Sequence, residues 1–334
     1  MLAACAGAER GPIEIALADA DTLVRSESEL VATPADLAVD ESGNVHVLGW
    51  RAGRIVVIEP ATGATRFIGR EGRGPGEFQG PLHLGLAGDT LRVTNSGNLR
   101  VDVFTTAGTF VRSHPMPLAA AVAPLTFAPD GRMAAASYGM NDSVLVRLYA
   151  QDGTDLGGVG ELLAPATEAF HVTAIKADAE KGNVPEMFRN FAWPVFAADG
   201  GLWLVLTAEG VLRRYDVAGP MLWGVPIEAP ELPLIKQAFF DRSRDLAGQP
   251  ARFATLNYVQ DALVEGDELW LLLKTPPGQP CVILVFGDGG VLRRRVVLPD
   301  VDEAGAFAVD VARRRLYVTP VGDASLLGFE LPAR

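Results

Sequence analysis

Four histidines, two cysteines and 41 acidic residues are the groups in this 334-residue chain that could ligate a metal or move a proton. Their spacing excludes most of that chemistry. His46, His83, His114 and His171 are scattered along the chain, and no His-x-His or His-x-x-x-His pair is available to hold zinc. There is no Gly-x-Ser-x-Gly turn to present a serine nucleophile. Cys281 opens the run Cys281-Val282-Ile283-Leu284-Val285-Phe286, where a thiol behaves as a small buried hydrophobe, and no adjacent His or Lys lowers its pKa. Two cysteines are too few for a disulfide framework in a chain of this size. Lys and Arg number 29, leaving a net charge of −12 that repels phosphate backbones, so nucleic-acid binding is excluded. The longest apolar stretch, Leu118 to Ala128, is broken by Pro124 and is shorter than the roughly 20 residues of a membrane-spanning helix.

The elements that must position any site announce themselves by repetition. Phe104-Thr105-Thr106-Ala107-Gly108, Tyr149-Ala150-Gln151-Asp152-Gly153, Tyr215-Asp216-Val217-Ala218-Gly219 and Phe286-Gly287-Asp288-Gly289-Gly290 each place an aromatic four residues before a glycine, and Ile58 to Gly63 is a looser copy. Each follows an alternating apolar run and precedes another, which predicts a β-hairpin whose glycine supplies a positive φ. Two further short strands stand upstream of each hairpin, as in Leu37-Ala38-Val39-Asp40 and Val45-His46-Val47-Leu48. Four strands per unit and six units result. The spacings from Ile58 through Phe104, Tyr149, Tyr215 and Phe286 to Phe329 are 46, 45, 66, 71 and 43 residues, a basal period of propeller-blade length with two insertions. The last unit ends before its fourth strand. Thr22-Leu23-Val24-Arg25-Ser26 nearly copies Thr109-Phe110-Val111-Arg112-Ser113, a fourth strand, so the N-terminal segment is expected to complete the last unit and close the ring. The expected fold is all-β: a six-bladed propeller over residues 12–334, closed by an N-terminal strand, carrying short helical insertions at 162–192 and 229–260, with residues 1–11 as signal remnant and linker.

Gly69-Arg70-Glu71-Gly72-Arg73-Gly74-Pro75-Gly76-Glu77-Phe78, followed by Gly80-Pro81, resembles the segment between repeats of NHL-repeat propellers. Leu37-Ala38-Val39-Asp40 with Gly43-Asn44-Val45 resembles their inner-strand motif. The glycine-rich run lacks the Lys-Ser/Thr ending of a phosphate-binding loop, so it reads as a structural turn between blades. Leu2-Ala3-Ala4-Cys5 resembles the bacterial lipobox, and the basic and apolar regions of its signal peptide would lie ahead of Met1. Together these resemblances imply an envelope lipoprotein, periplasmic or on the outer membrane, acylated on Cys5 and touching the membrane through that anchor alone.

The two insertions both join a fourth strand to the next inner strand and so emerge on one face of the disc. Glu231 to Leu246 carries Leu232, Ile235, Phe239 and Leu246 at helical spacing, and Pro185 to Phe191 forms a short helix with Met187, Phe188 and Phe191 inward. Phe191, Trp193 and Tyr258, beside Asp36 and His83, form the candidate binding face for a protein, peptide or glycan of the cell envelope. A monomer without cofactor is expected. The alternative is a lactone hydrolase resembling gluconolactonases, with Ca²⁺ or another divalent cation at the channel mouth on Asp36 and Glu303. The residues assigned to the starts of the six inner strands, Asp36, His83, Thr126, Trp193, Tyr258 and Glu303, make an apolar and aromatic set for such a cage and favour the binding reading.

Overall fold

The computed structural model describes residues 11–25, 30–31, 33–116, 123–216 and 220–333. Cys5 lies outside them. Among the described residues the chain builds six sheets of four or five strands, here blades I to VI in sequence order, and a two-stranded pairing of Arg70–Glu71 with Glu77–Phe78. Blade I comprises Pro34–Val39, Val45–Gly49, Arg54–Ile58 and Thr65–Ile68; blade II, Pro81–Ala87, Thr90–Asn95, Arg100–Thr105 and Phe110–Pro115. Blade III comprises Leu125–Phe127, Met133–Ala136, Val144–Tyr149 and Asp155–Glu161; blade IV, Ala192–Phe196, Leu202–Leu206, Val211–Tyr215 and Met221–Pro226. Val259–Glu265, Glu268–Leu273, Cys281–Phe286 and Leu292–Leu298 form blade V. Ala304–Asp310, Arg315–Pro320 and Leu326–Glu330 belong to blade VI. The first strand of each blade packs against the first strand of the next, and that of blade VI returns to that of blade I, so six inner strands ring a central channel.

Closure is as the repeat arithmetic predicts. Asp21–Val24 pairs antiparallel with Leu326–Glu330 as the fourth strand of blade VI, and Arg315 bonds Asp21 at 2.6 Å across the seam. A second N-terminal strand, Ile13–Ala16, goes beyond expectation: it adds in parallel to Leu292–Leu298 as a fifth strand of blade V, and its Glu14 pairs with Arg295 at 3.0 Å. One short segment therefore straps blades V and VI together.

Middle strands such as Glu268–Leu273 and Cys281–Phe286 are buried at every position because neighbouring blades cover both faces, so they read as unbroken apolar runs rather than alternating ones. In that setting the Cys281 thiol is pushed up to about 12 by burial and stays a packing group. The recurrent aromatics also acquire a physical role. At Phe104, Tyr149, Tyr215 and Phe286 the pairing of third and fourth strands slips by a β-bulge, and each ring is buried beside it. The turn glycine four residues on takes the left-handed φ expected of it, +99° at Gly108 and +87° at Gly153.

The insertions fold as α1 (Val172–Glu180) with a 3₁₀ turn at Glu186–Asn190, and as α2 (Glu231–Asp245). Phe188, Phe191, Ile235, Phe239 and Leu246 all point inward into one cluster with blades IV and V, as their spacing predicts. Helix α1 is absent from the sequence reading because Ile175 is its single buried residue, too little for a periodic signal. Lys176 fastens it to the end of α2, donating to the carbonyls of Leu246, Ala247 and Gln249 at 2.9, 3.2 and 2.5 Å. None of the described helices is long and apolar enough to cross a membrane.

Candidate functional site

Two places concentrate polar groups on this frame. The first is the channel wall. Strand pairing slips between Pro34 and Asp36 in blade I and between Val259 and Asp261 in blade V, and the bulge swings the following carboxylate out of the pleat. Asp36 then accepts from its neighbour Leu37 N at 2.8 Å and from Leu84 N, on the inner strand of blade II, at 2.6 Å. Asp261 repeats the arrangement, accepting from Ala262 N at 2.7 Å and from Phe307 N of blade VI at 3.1 Å. Each carboxylate is a clasp between adjacent blades. Although both keep some surface toward the channel, the surrounding protein strips their hydration. Burial is the main cause holding Asp36 well above the usual carboxylate range, the like charge of Asp261 adds to it, and burial raises Asp261 to about 6. His83 stands on the inner strand of blade II, next to that of blade I, and burial lowers it to about 4, so its imidazole is neutral at pH 7.

Asp261 corrects the assignment of Tyr258 to the start of the blade V strand. Asp261-Ala262-Leu263-Val264 repeats the type pattern of Asp36-Leu37-Ala38-Val39, the signal by which the second carboxylate is recognisable. Thr126 and Trp193 lie on inner strands, opposite Ala134 and Val205, whereas Glu303 precedes the blade VI strand and lines the second site. Among the described residues no group of three or more His, Cys, Asp or Glu side chains comes together, and the carboxylate oxygens of Asp36 and Asp261 are occupied by backbone N–H groups.

The second site is a cleft of about 680 Å³ on the face that carries the insertions. Its sides are α2, the segment 251–257 that follows it, and the Lys274–Pro277 connection of blade V. Phe239, Leu246 and Leu256 supply apolar walls; Arg242, Arg252 and Lys274 supply cations, against the single carboxylate of Glu303. Neither the guanidinium of Arg242 nor the ammonium of Lys274 has a carboxylate partner among the described residues, and both residues are exposed. The aromatic anchors expected for this face are placed otherwise. Phe191 and Tyr258 are only 6% and 7% exposed, because the lid's own apolar face covers them, and Trp193 is partly buried against the same cluster. Phe191 stacks between Tyr138 and Phe188, with centroids at 4.6 and 4.8 Å, and so supports the insertion from beneath.

The remaining histidines are structural or peripheral. Buried His46 meets Asp40 at 3.0 Å, where the Asp40 carboxylate also gathers the N–H groups of Ser42 and Asn44. His114 accepts from Arg112 on the outer strand of blade II, and exposed His171 precedes α1.

No family model matches this sequence, and no curated protein matches it. Its likeness lies in solved structures. A gluconolactonase from Xanthomonas campestris is 14% identical and superposes with a TM-score of 0.54 over 96% of this chain and 98% of its own. The calcium-binding protein regucalcin from Agrobacterium tumefaciens is 12% identical, with a TM-score of 0.52 over 96% and 97%. At these identities the likeness is one of fold, and it agrees with the six-bladed propeller built from the strands above.

Proposed function

We propose that this chain is a non-catalytic six-bladed propeller that binds a protein, peptide or glycan on the face bearing its two insertions. One observation carries the reading: a chain of net charge −12 leaves cationic side chains without carboxylate partners around an apolar cleft. Three cations against one carboxylate around this cleft reverse the charge balance of the chain as a whole. Rigid blades with long connections on one face are a common way to present a binding surface. Location in the envelope and acylation of Cys5 belong to the same reading, supported by the lipobox-like tetrapeptide; intact mass after expression in a bacterial host would reveal a diacylglyceryl adduct on that cysteine or its absence.

Ala238 lines the cleft from α2, so Ala238→Trp places an indole inside it and obstructs it. The wild-type chain, immobilised, is expected to retain an envelope component that the filled variant does not. Equal retention by both removes the cleft from consideration.

A second reading, a lactone hydrolase in the channel, is favoured by one feature, the two carboxylates of Asp36 and Asp261 held above the usual carboxylate range by burial, one of which could donate a proton. The gluconolactonase likeness adds only fold. Lactone turnover in the presence of Ca²⁺ or Mn²⁺, lost in Asp36→Asn, would establish it in place of the binding reading.

A further inference from the structure

The binding reading says where a ligand sits; the chemistry of the cleft says what it presents. We propose that the cleft captures the free C-terminal carboxylate of an apolar peptide, an inference that rests on the lidded face being the binding site. Charge comes first. Arg242, Arg252 and Lys274 against Glu303 leave a local formal surplus of two positive charges in an acidic protein, and Arg252 has only a 3.5 Å contact with the neutral Gln249 side chain. A monoanion placed among them exchanges water for charge-assisted hydrogen bonds next to walls that lower the local dielectric.

The walls choose among anions. Phe239, Leu246 and Leu256 offer no partners to the hydroxyls of a sugar, which would be desolvated without compensation. An alkyl carboxylate would suit those walls but leave the polar groups idle. Thr255 and Asn257 also line the cleft, and the Asn257 Oδ1 accepts from Val259 N at 3.1 Å, which directs its amide NH₂ elsewhere as a donor. A peptide end supplies all three needs together: a carboxylate for the cations, an apolar terminal side chain for the walls, and amides for Thr255 and Asn257. The volume lies within the roughly 300–1000 Å³ of small-ligand pockets and fits a chain end rather than a folded surface.

The test uses the full chain and two probes of one shape, fluorescein-labelled Gly-Ala-Leu-Phe with a free carboxylate and the same peptide as its C-terminal amide. Fluorescence anisotropy is expected to give at least tenfold tighter binding of the acid. Arg242→Ala and Lys274→Ala should each bring the acid toward the affinity of the amide, and Ala238→Trp should abolish binding of both; urea unfolding of each variant reports that it is folded. Equal affinity for acid and amide overturns the carboxylate inference, as does a Lys274→Ala, Arg242→Ala double variant that binds the acid unchanged. Decanoate binding as tightly as the peptide acid also overturns it, in favour of an alkyl carboxylate. If the amide or a neutral oligosaccharide binds equally well and Ala238→Trp removes it, the lidded-face reading stands while this inference falls. If nothing tested responds to Ala238→Trp, both fall.

Discussion

The connections from blade I to blade II and from blade IV to blade V occupy equivalent positions in the ring, each joining an outer strand to the next inner one, yet they are built on opposite terms. In the first, residues 69–80, the chain satisfies itself. Arg100 donates to the carbonyls of Arg73, Gly74 and Glu77 at 3.0, 2.5 and 2.8 Å and pairs with buried Asp102, while Glu77 pairs with Arg70 and accepts from Gly74 N. Phe78 is fully buried below, and a Cβ at Gly69 would stand 2.3 Å from its ring, so glycine is required there. In the second, residues 227–258, apolar groups are equally well packed but the charges at the cleft are left to solvent. The difference separates a connection whose polar groups serve the fold from one whose polar groups are available to something else. The glycine-rich run resembling the NHL segment is thus the structural piece, and the insertion without any motif is the candidate for function.

The comparison can be broken by mutation, beginning where the effect is greatest. Arg100→Ala takes away the only cation paired with buried Asp102 among the described residues, leaving that carboxylate the neutral donors Asn95 Nδ2 and Ser113 Oγ, and removes a donor from three carbonyls; it is expected to cost about 3 kcal/mol in urea unfolding. A loss below about 1 kcal/mol would mean that the glycine-rich connection is not held by its own charges. Arg100→Lys should restore little, since an ammonium cannot span those acceptors.

The channel clasp comes next, read through pH. Asp261 is raised from 3.8 to about 6 by burial, so the native state favours its protonated form. That contribution is complete below the unfolded pKa and is lost as pH rises through the folded one. The stability advantage of wild type over Asp261→Ala should therefore shrink by a few kcal/mol between about pH 4 and pH 7. An advantage that is flat or grows over that window contradicts the raised pKa.

Lys176→Ala removes the tie between α1 and α2 and is expected to cost about 1 kcal/mol, with faster amide exchange confined to the end of α2 and the segment after it. A global rise in exchange would place α1 in the core of the fold instead. Smallest of all, Arg242→Ala and Lys274→Ala should leave stability within about 0.5 kcal/mol of wild type, because no ion pair is lost. A cost of 2 kcal/mol or more, on the scale of buried polar groups, would show that these cations serve the fold and erase the contrast with Arg100.

The sequence by itself determined the architecture of this protein. Blade number, period, the two insertions and the closing role of Thr22-Leu23-Val24 are legible because strand alternation and hairpin turns are short-range properties, written in residues a few positions apart and repeated six times. It also marked the inward faces of α2 and the 3₁₀ turn, since helical periodicity needs only a few turns to show itself. Tertiary structure decided the rest. Asp36 and Asp261 come within electrostatic reach of one another only because the ring closes, and their raised pKa values follow chiefly from burial that neither local sequence contains. The parallel fifth strand at Ile13–Ala16 depends on where blade V leaves an open edge. Phe191 and Tyr258 resemble binding anchors in sequence and became core when the lid packed over them. The cations of the cleft come from α2, the segment after it and a blade V connection, and a charge is unpaired only relative to everything folding brings near it, which no local pattern records.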